Sequence, residues 1–145
     1  MAKIDIFPGN FTLSIIKPDA IENGYISNIL IKIMDDGFKI TAIKTITSSK
    51  KSMIKFYEIH EKKSFFNSLI NFMSSAPIIP MILKKKNAVK DFRKLIGNTN
   101  PLIAKKGTIR NLYATSLEKN AIHGSDNNSN AIRECKFFFP NLLSL

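Results

Sequence analysis

The hydrophobic period of the chain switches repeatedly between two and about three and a half residues, and that alternation limits the folds open to it. Phe11 to Ile16 alternates apolar and small polar residues, the period of a strand. After Lys17-Pro18-Asp19, the residues Ile26, Ile29, Leu30, Ile33 and Met34 fall on one face of a helix, which Gly37 ends. Phe38 to Thr47 is rich in Ile and Thr and reads as a second strand. Lys50 to Glu61 reads as a helix with Met53, Ile54 and Tyr57 on one side, and Phe65, Phe66, Leu69, Ile70 and Met73 mark a further short one. Ile78 to Leu83 suits a buried strand, but Pro80 has no N–H for the ladder, which predicts a bulge or an unpaired position there. Ala88, Val89, Phe92, Leu95 and Ile96 form another helical stripe, closed by Gly97.

Gly97 to Lys119 keeps no period, and a loop of that length in a small domain is usually functional. A short strand near Asn120 to His123 follows, then a helix over Asp126 to Phe137 with Ser125 or Asp126 as its N-cap. This order predicts an α+β fold of ferredoxin-like type: an antiparallel βαββαβ sheet with helices on one face, an extra helical pair and a long loop. The 145 residues fit one domain, 1–145, with no repeat or linker.

The single cysteine, Cys135, excludes an internal disulfide framework and a Cys-rich zinc site. It reads as a small buried hydrophobe and predicts a reducing, cytoplasmic setting. No apolar run is long enough to span a bilayer, and the first ten residues lack a signal-peptide pattern. A net charge of +11 attracts polyanions, whether nucleic acid, anionic lipid or nucleotides. The charge comes from nineteen lysines against three arginines, dispersed along the chain. That pattern predicts a solvated surface and, at most, nonspecific contact with nucleic acid. Scarcity singles out Arg93, Arg110 and Arg133 as places where a planar, bidentate cation is required.

Chemistry concentrates at Asn120-Ala121-Ile122-His123-Gly124-Ser125-Asp126. His123 is one of two histidines and, for any covalent step, the leading nucleophile. Gly124 beside it leaves room for a ligand to approach. A nucleophilic imidazole must be held in one tautomer, which a carboxylate on its other nitrogen does. Glu134, eleven residues on, is a candidate. Lys17, Arg93, Thr99 and Arg110 offer the cations and donors that a phosphoryl-transfer site needs. The Walker pattern is absent, so the chain is not a P-loop enzyme. A histidine that takes the phosphoryl group and hands it on then becomes the more plausible route.

Four collinear motifs carry a resemblance. Ile15-Ile16-Lys17-Pro18-Asp19-Ala20 resembles the opening strand and lysine of the nucleoside diphosphate kinases. Asn98-Thr99-Asn100-Pro101 and Gly107-Thr108-Ile109-Arg110 resemble that family's phosphate loop, and Asn120 to Asp126 its active-site signature. The match runs over roughly residues 11 to 140. It implies transfer of the terminal phosphate of ATP or another nucleoside triphosphate to a nucleoside diphosphate by a ping-pong route. His123 would become phosphohistidine, Glu134 would orient its imidazole and Ser125 would join their hydrogen bonds. Lys17, Tyr57, Arg93, Thr99, Arg110 and Asn120 would surround the phosphates and the sugar hydroxyl. Phe65 would stack on the base, with Leu69 and Leu117 closing the slot. Mg2+ would arrive on the nucleotide's phosphates with few protein ligands. The family implies a homo-oligomer, a hexamer or a tetramer.

The chain departs from the family pattern at Lys63-Ser64, where Arg-Pro is usual, and at Ala76, Pro80, Asn111-Leu112 and Asn127. Glu118-Lys119 stands where Gly-Arg is common. These changes touch loop conformation, strand pairing and subunit packing and remove no catalytic group. Tyr57 and Phe65 also fit plain core positions, and His60 reads as a surface or helix-end residue. A rival function keeps the fold as a basic nucleic-acid-binding or inactive scaffold. The tail from Phe137 to Leu143 is too apolar to lie free, which predicts that it packs on a neighbouring subunit.

Overall fold

The computed structural model describes residues 3–144; Met1, Ala2 and Leu145, which belong to the expected 1–145 domain, lie outside the described residues. The elements run β1 (Ile4–Asp5), β2 (Phe11–Ile16), α1 (Pro18–Glu22), α2 (Ile26–Asp35), β3 (Lys39–Ile43), α3 (Lys50–Phe56), α4 (Phe66–Met73), β4 (Ile79–Lys84), α5 (Ala88–Ile96), α6 (Ile109–Tyr113), β5 (Ile122–Gly124), α7 (Asn128–Phe138) and β6 (Leu143–Ser144). A short 3-10 turn, Glu58–His60, separates α3 from α4, so the helix expected to reach Glu61 stops at Phe56.

Four strands form one antiparallel sheet in the order β3-β4-β2-β5, the order of a βαββαβ ferredoxin-like fold. The helices cover both faces of it, not one. Leu13, Ile15 and Ile82 pack under α3, α4 and α7, while Ile16, Met81 and Leu83 pack under α2 and α5. The reason is legible in the two central strands. Every residue of β2 is buried, and so is all of β4 except Lys84, as a sheet with two covered faces requires.

Pro80 lies in β4, between β2 and β3, opposite Ile15. Its carbonyl accepts from Lys44 N–H at 3.2 Å, but it has no N–H to return. The β3·β4 ladder ends there, at Ile43↔Met81, and resumes only as a single bridge, Ile46↔Ile78. Pro80 thus stays paired with Ile15 of β2 and interrupts only the ladder to β3, whose bulge lies elsewhere, between Ile40 and Ala42.

The apolar tail packs on its own chain. Phe138 and Phe139 are buried in the core under α7, and Phe137, Leu142 and Leu143 pack against it. Lys44 Nζ donates to the Phe138 carbonyl at the end of α7 and lies 4.8 Å from the centroid of the Phe139 ring. β6 pairs in parallel with β1, which ties the two ends of the chain together. Much of the cover that the sequence reading assigned to a neighbouring subunit is thus supplied by the tail's own chain, with Phe137, Leu142 and Leu143 left partly exposed.

Candidate active site

β5 sets His123. It is a three-residue strand at the sheet edge, and its register places His123 opposite Ile15. The imidazole therefore points to the face covered by α3 and α7, as Ile15 does. Ile122 and Gly124 point to the other face. There Gly124 has a packing role: a Cβ on it would sit 2.9 Å from Phe92 Cδ2 and 3.0 Å from Ile96 Cδ1 of α5. Its lack of a side chain lets α5 close on β5, which adds to the ligand access inferred from sequence.

The turn into β5 is strained. Ala121 has φ 73°, in the left-handed region, and Ile122 N–H bonds back to the Asn120 carbonyl at 2.9 Å. Asp19 holds it there, its Oδ2 accepting from Ala121 N–H at 3.0 Å. Burial raises the Asp19 carboxyl above its usual range, against the pull of Lys17.

α7 brings Glu134 beneath the ring. It starts at Asn128 with Asn127 as N-cap, whose side chain accepts from Asn130 N–H at 2.8 Å. Ser125 and Asp126, the expected caps, are thereby free for other bonds. Glu134 Oε1 accepts two hydrogen bonds, from His123 Nε2 at 2.8 Å and from the Ser125 hydroxyl at 2.7 Å. Ser125 Oγ in turn accepts from Leu13 N–H on β2 at 3.2 Å. Burial alone would raise the Glu134 carboxyl, but the charge and hydrogen bond of His123 and the Ser125 hydroxyl outweigh it and hold it low. An ionised acceptor on Nε2 fixes the proton there and leaves the Nδ1 lone pair available.

The ring lines a cavity of about 510 Å³. Every residue singled out from sequence lines that cavity except Ser125, which lies behind the imidazole. Lys17 and Arg110 are buried in its wall. Arg110 is held by two carbonyls, its Nη1 donating to Gly97 at 3.0 Å and its Nη2 to Ile122 at 2.8 Å. Gly97, at φ 86°, supplies the turn that presents one of them. Burial and then the nearby Arg93 charge push Arg110 down to about 10. Burial and then Arg110 push Lys17 down to about 8. Two cations crowded and desolvated in this way gain most from an anion between them.

Arg93, on α5, is half exposed and pairs with Asp126 at 2.7 Å. Solvent-exposed pairs contribute only about 0–1 kcal/mol, so this one constrains Arg93 little. Asn120 Nδ2 reaches the Thr99 carbonyl at 3.4 Å and its Oδ1 is buried without a partner, as is the Tyr57 hydroxyl. Burial, and then Glu134, raise the Tyr57 phenol, so it is a neutral donor at any ordinary pH. Phe65, about half exposed, and Leu117, at 64%, offer apolar surface at the far end, with Leu69 buried between α4 and the cavity.

Sequence reasoning missed other lining residues. Asp126 stands inside the signature itself, and Arg133 carried the signal of arginine scarcity. Its Nη1 bonds the Phe56 carbonyl at 3.2 Å and its Nη2 lies 3.8 Å from Glu134 Oε2. His60 ends the 3-10 turn, as a helix-end residue, but also lines the cavity beside Lys63. Burial and then Lys63 lower its imidazole. The expected featureless stretch before Asn120 contains α6, capped by the Thr108 hydroxyl, which is what delivers Arg110.

An imidazole oriented by a carboxylate shares this cavity with buried cations and apolar side chains, a combination suited to covalent handling of an anionic ligand. The sequence comparisons name the family. The profile of the family described as Nucleoside diphosphate kinase matches residues 10–142. The chain is 47% identical over 129 residues to a nucleoside diphosphate kinase of Salinibacter ruber, covering 89% of this chain and 91% of that one. It is 48% identical over 130 residues to one of Flavobacterium psychrophilum, covering 90% and 94%. A crystal structure of the Aquifex aeolicus nucleoside diphosphate kinase superposes with a TM-score of 0.90 at 37% identity, over 94% of this chain and 99% of that one. The chain belongs to the nucleoside diphosphate kinase family.

Proposed function

We propose that the protein transfers the terminal phosphate of a nucleoside triphosphate to a nucleoside diphosphate through a phosphohistidine on Nδ1 of His123. The observation that carries this reading is the Glu134–His123 bond on Nε2, which leaves Nδ1 as the free lone pair in a cation-lined cavity. In the first half-reaction Nδ1 bonds the γ-phosphorus and the bond to the bridging oxygen breaks. The diphosphate leaves with that oxygen and its electron pair. In the second, a terminal oxygen of an acceptor diphosphate bonds the same phosphorus and the P–Nδ1 bond breaks. The Nε2 proton stays shared with Glu134 throughout, which stabilises the ring as charge changes on its far side.

Lys17, Arg93 and Arg110 serve as the cations around the moving phosphoryl group, with Tyr57, Thr99 and Asn120 donating to phosphate and sugar oxygens. Phe65, Leu69 and Leu117 form the base slot. A flat apolar slot discriminates poorly among bases, which suits several nucleotides as substrates. Mg2+ neutralises phosphate charge when bound. The carboxylates of the cavity, Glu118, Asp126 and Glu134, are each engaged by a protein donor. That donor set fits a Mg2+ held chiefly by phosphate oxygens.

We read 1–145 as one domain of this kind, working in a reducing cytoplasm and as a homo-oligomer of four or six chains. Leu102 and Ile103, 90% and 68% exposed in the loop after α5, are apolar surface suited to such assembly. The experiment is a steady-state exchange assay at several fixed acceptor concentrations. Parallel reciprocal plots are expected; intersecting plots, or no exchange, contradict the proposal.

A further inference from the structure

The segment that carries Leu117 is a tight loop. Thr115 N–H bonds the Lys119 carbonyl at 2.9 Å, and Lys119 N–H bonds the Ser116 hydroxyl at 3.0 Å. Its tip, Leu117-Glu118, projects beside the cavity mouth. Glu118 joins this tip to the rest of the fold twice. Its carbonyl accepts from Lys17 Nζ at 3.5 Å, and its carboxylate accepts from the Ser68 hydroxyl at 2.6 Å. Ser68 lies on the first turn of α4, next to Leu69 and one helical turn after Phe65, the residue at the helix's N-cap. The Ser68–Glu118 bond therefore joins the segment that carries Leu117 to the helix that carries Leu69 and starts at Phe65.

We propose that Glu118 is a positioning residue that ties the Leu117 wall to the Phe65 wall and so sets the width of the base slot. This rests on the nucleotide-binding reading above. The tie is short and charge-assisted, the stronger kind of hydrogen bond. It preorganises two exposed apolar side chains that would otherwise have to be ordered by the incoming base.

Titration calorimetry with ADP and with the base-free ribose 5′-diphosphate separates the slot from the phosphate site. Ser68→Ala and Glu118→Ala are each expected to weaken ADP by about three- to tenfold. The double variant should weaken it no more than either alone, because both remove one bond. Glu118→Gln, which keeps an acceptor oxygen without the charge, should weaken ADP less than Glu118→Ala does. Ribose 5′-diphosphate should bind all variants equally. Equal losses for both ligands, tighter binding of both, additive losses, a Glu118→Gln that behaves like Glu118→Ala, or unchanged ADP affinity would each overturn the tie. A wild-type chain that binds neither ligand contradicts the proposed function instead.

Discussion

His123 Nε2 lies 2.8 Å from Glu134 Oε1, and the same oxygen takes the Ser125 hydroxyl at 2.7 Å. One buried carboxylate thus fixes both the tautomer and the angle of the imidazole, while two strands and a helix fix the carboxylate. Glu134→Gln keeps the shape but loses the charge. Its amide, free to turn its NH2 toward the ring, no longer fixes the proton on Nε2. The expected outcome is a fall in kcat of about 10²-fold or more, with little change in ADP affinity. Stopped-flow measurement of the first half-reaction with ATP checks it; an unchanged rate removes Glu134 from the mechanism.

Lys17 predicts the alkaline side of the pH profile. Burial and Arg110 hold its ammonium at about 8 in the empty site, so it loses its charge as pH rises through that value. The pH profile of kcat/KM, which reports the free enzyme, should fall above about 8. Lys17→Arg should move that limb to higher pH. The sign for stability is opposite. A lysine whose folded pKa lies below the ordinary lysine value of 10.5 leaves the unfolded chain holding more protons between about 8 and 10.5. Its contribution therefore makes the protein more stable with rising pH across that window, and Lys17→Met should flatten the slope in urea titrations.

Gly124→Ala tests the packing of α5 against β5. The new Cβ would meet Phe92 at 2.9 Å and Ile96 at 3.0 Å, both buried, so a side chain or the helix that carries it must shift. Overpacking of this kind costs about 1–3 kcal/mol, read as a lower denaturation midpoint. An unchanged midpoint would mean that α5 shifts freely. In that case Arg93, on the same helix, would move with it and nucleotide affinity would fall instead.

Periodicity exposed the long elements, because each buries one continuous face. It placed the stripe of α2, the stripe of α5 and the buried strands on either side of Pro80. It failed where local hydrogen bonds decide. Asn127 takes the cap of α7 because Ser125 is committed to Glu134 and Leu13, a fact that depends on β2 lying beside β5. The left-handed Ala121 is equally hidden, since its support comes from Asp19, distant in sequence. The tail looked like an oligomer contact because its own chain's cover, Lys44 and the core under α7, is assembled only in three dimensions. The residues gathered at the cavity were legible through the motifs and, for Arg133, through arginine scarcity, whereas Glu118 enters it through its bonds to Lys17 and Ser68, which no motif reports.

The most direct measurement is incubation of the wild-type chain and His123→Ala with ATP labelled in the γ-phosphate, with Mg2+ and no acceptor. The wild type should carry acid-labile, base-stable label that a nucleoside diphosphate then removes, and His123→Ala should carry none. Label retained on His123→Ala, or a wild type that exchanges phosphate without ever carrying label, would contradict the phosphohistidine route.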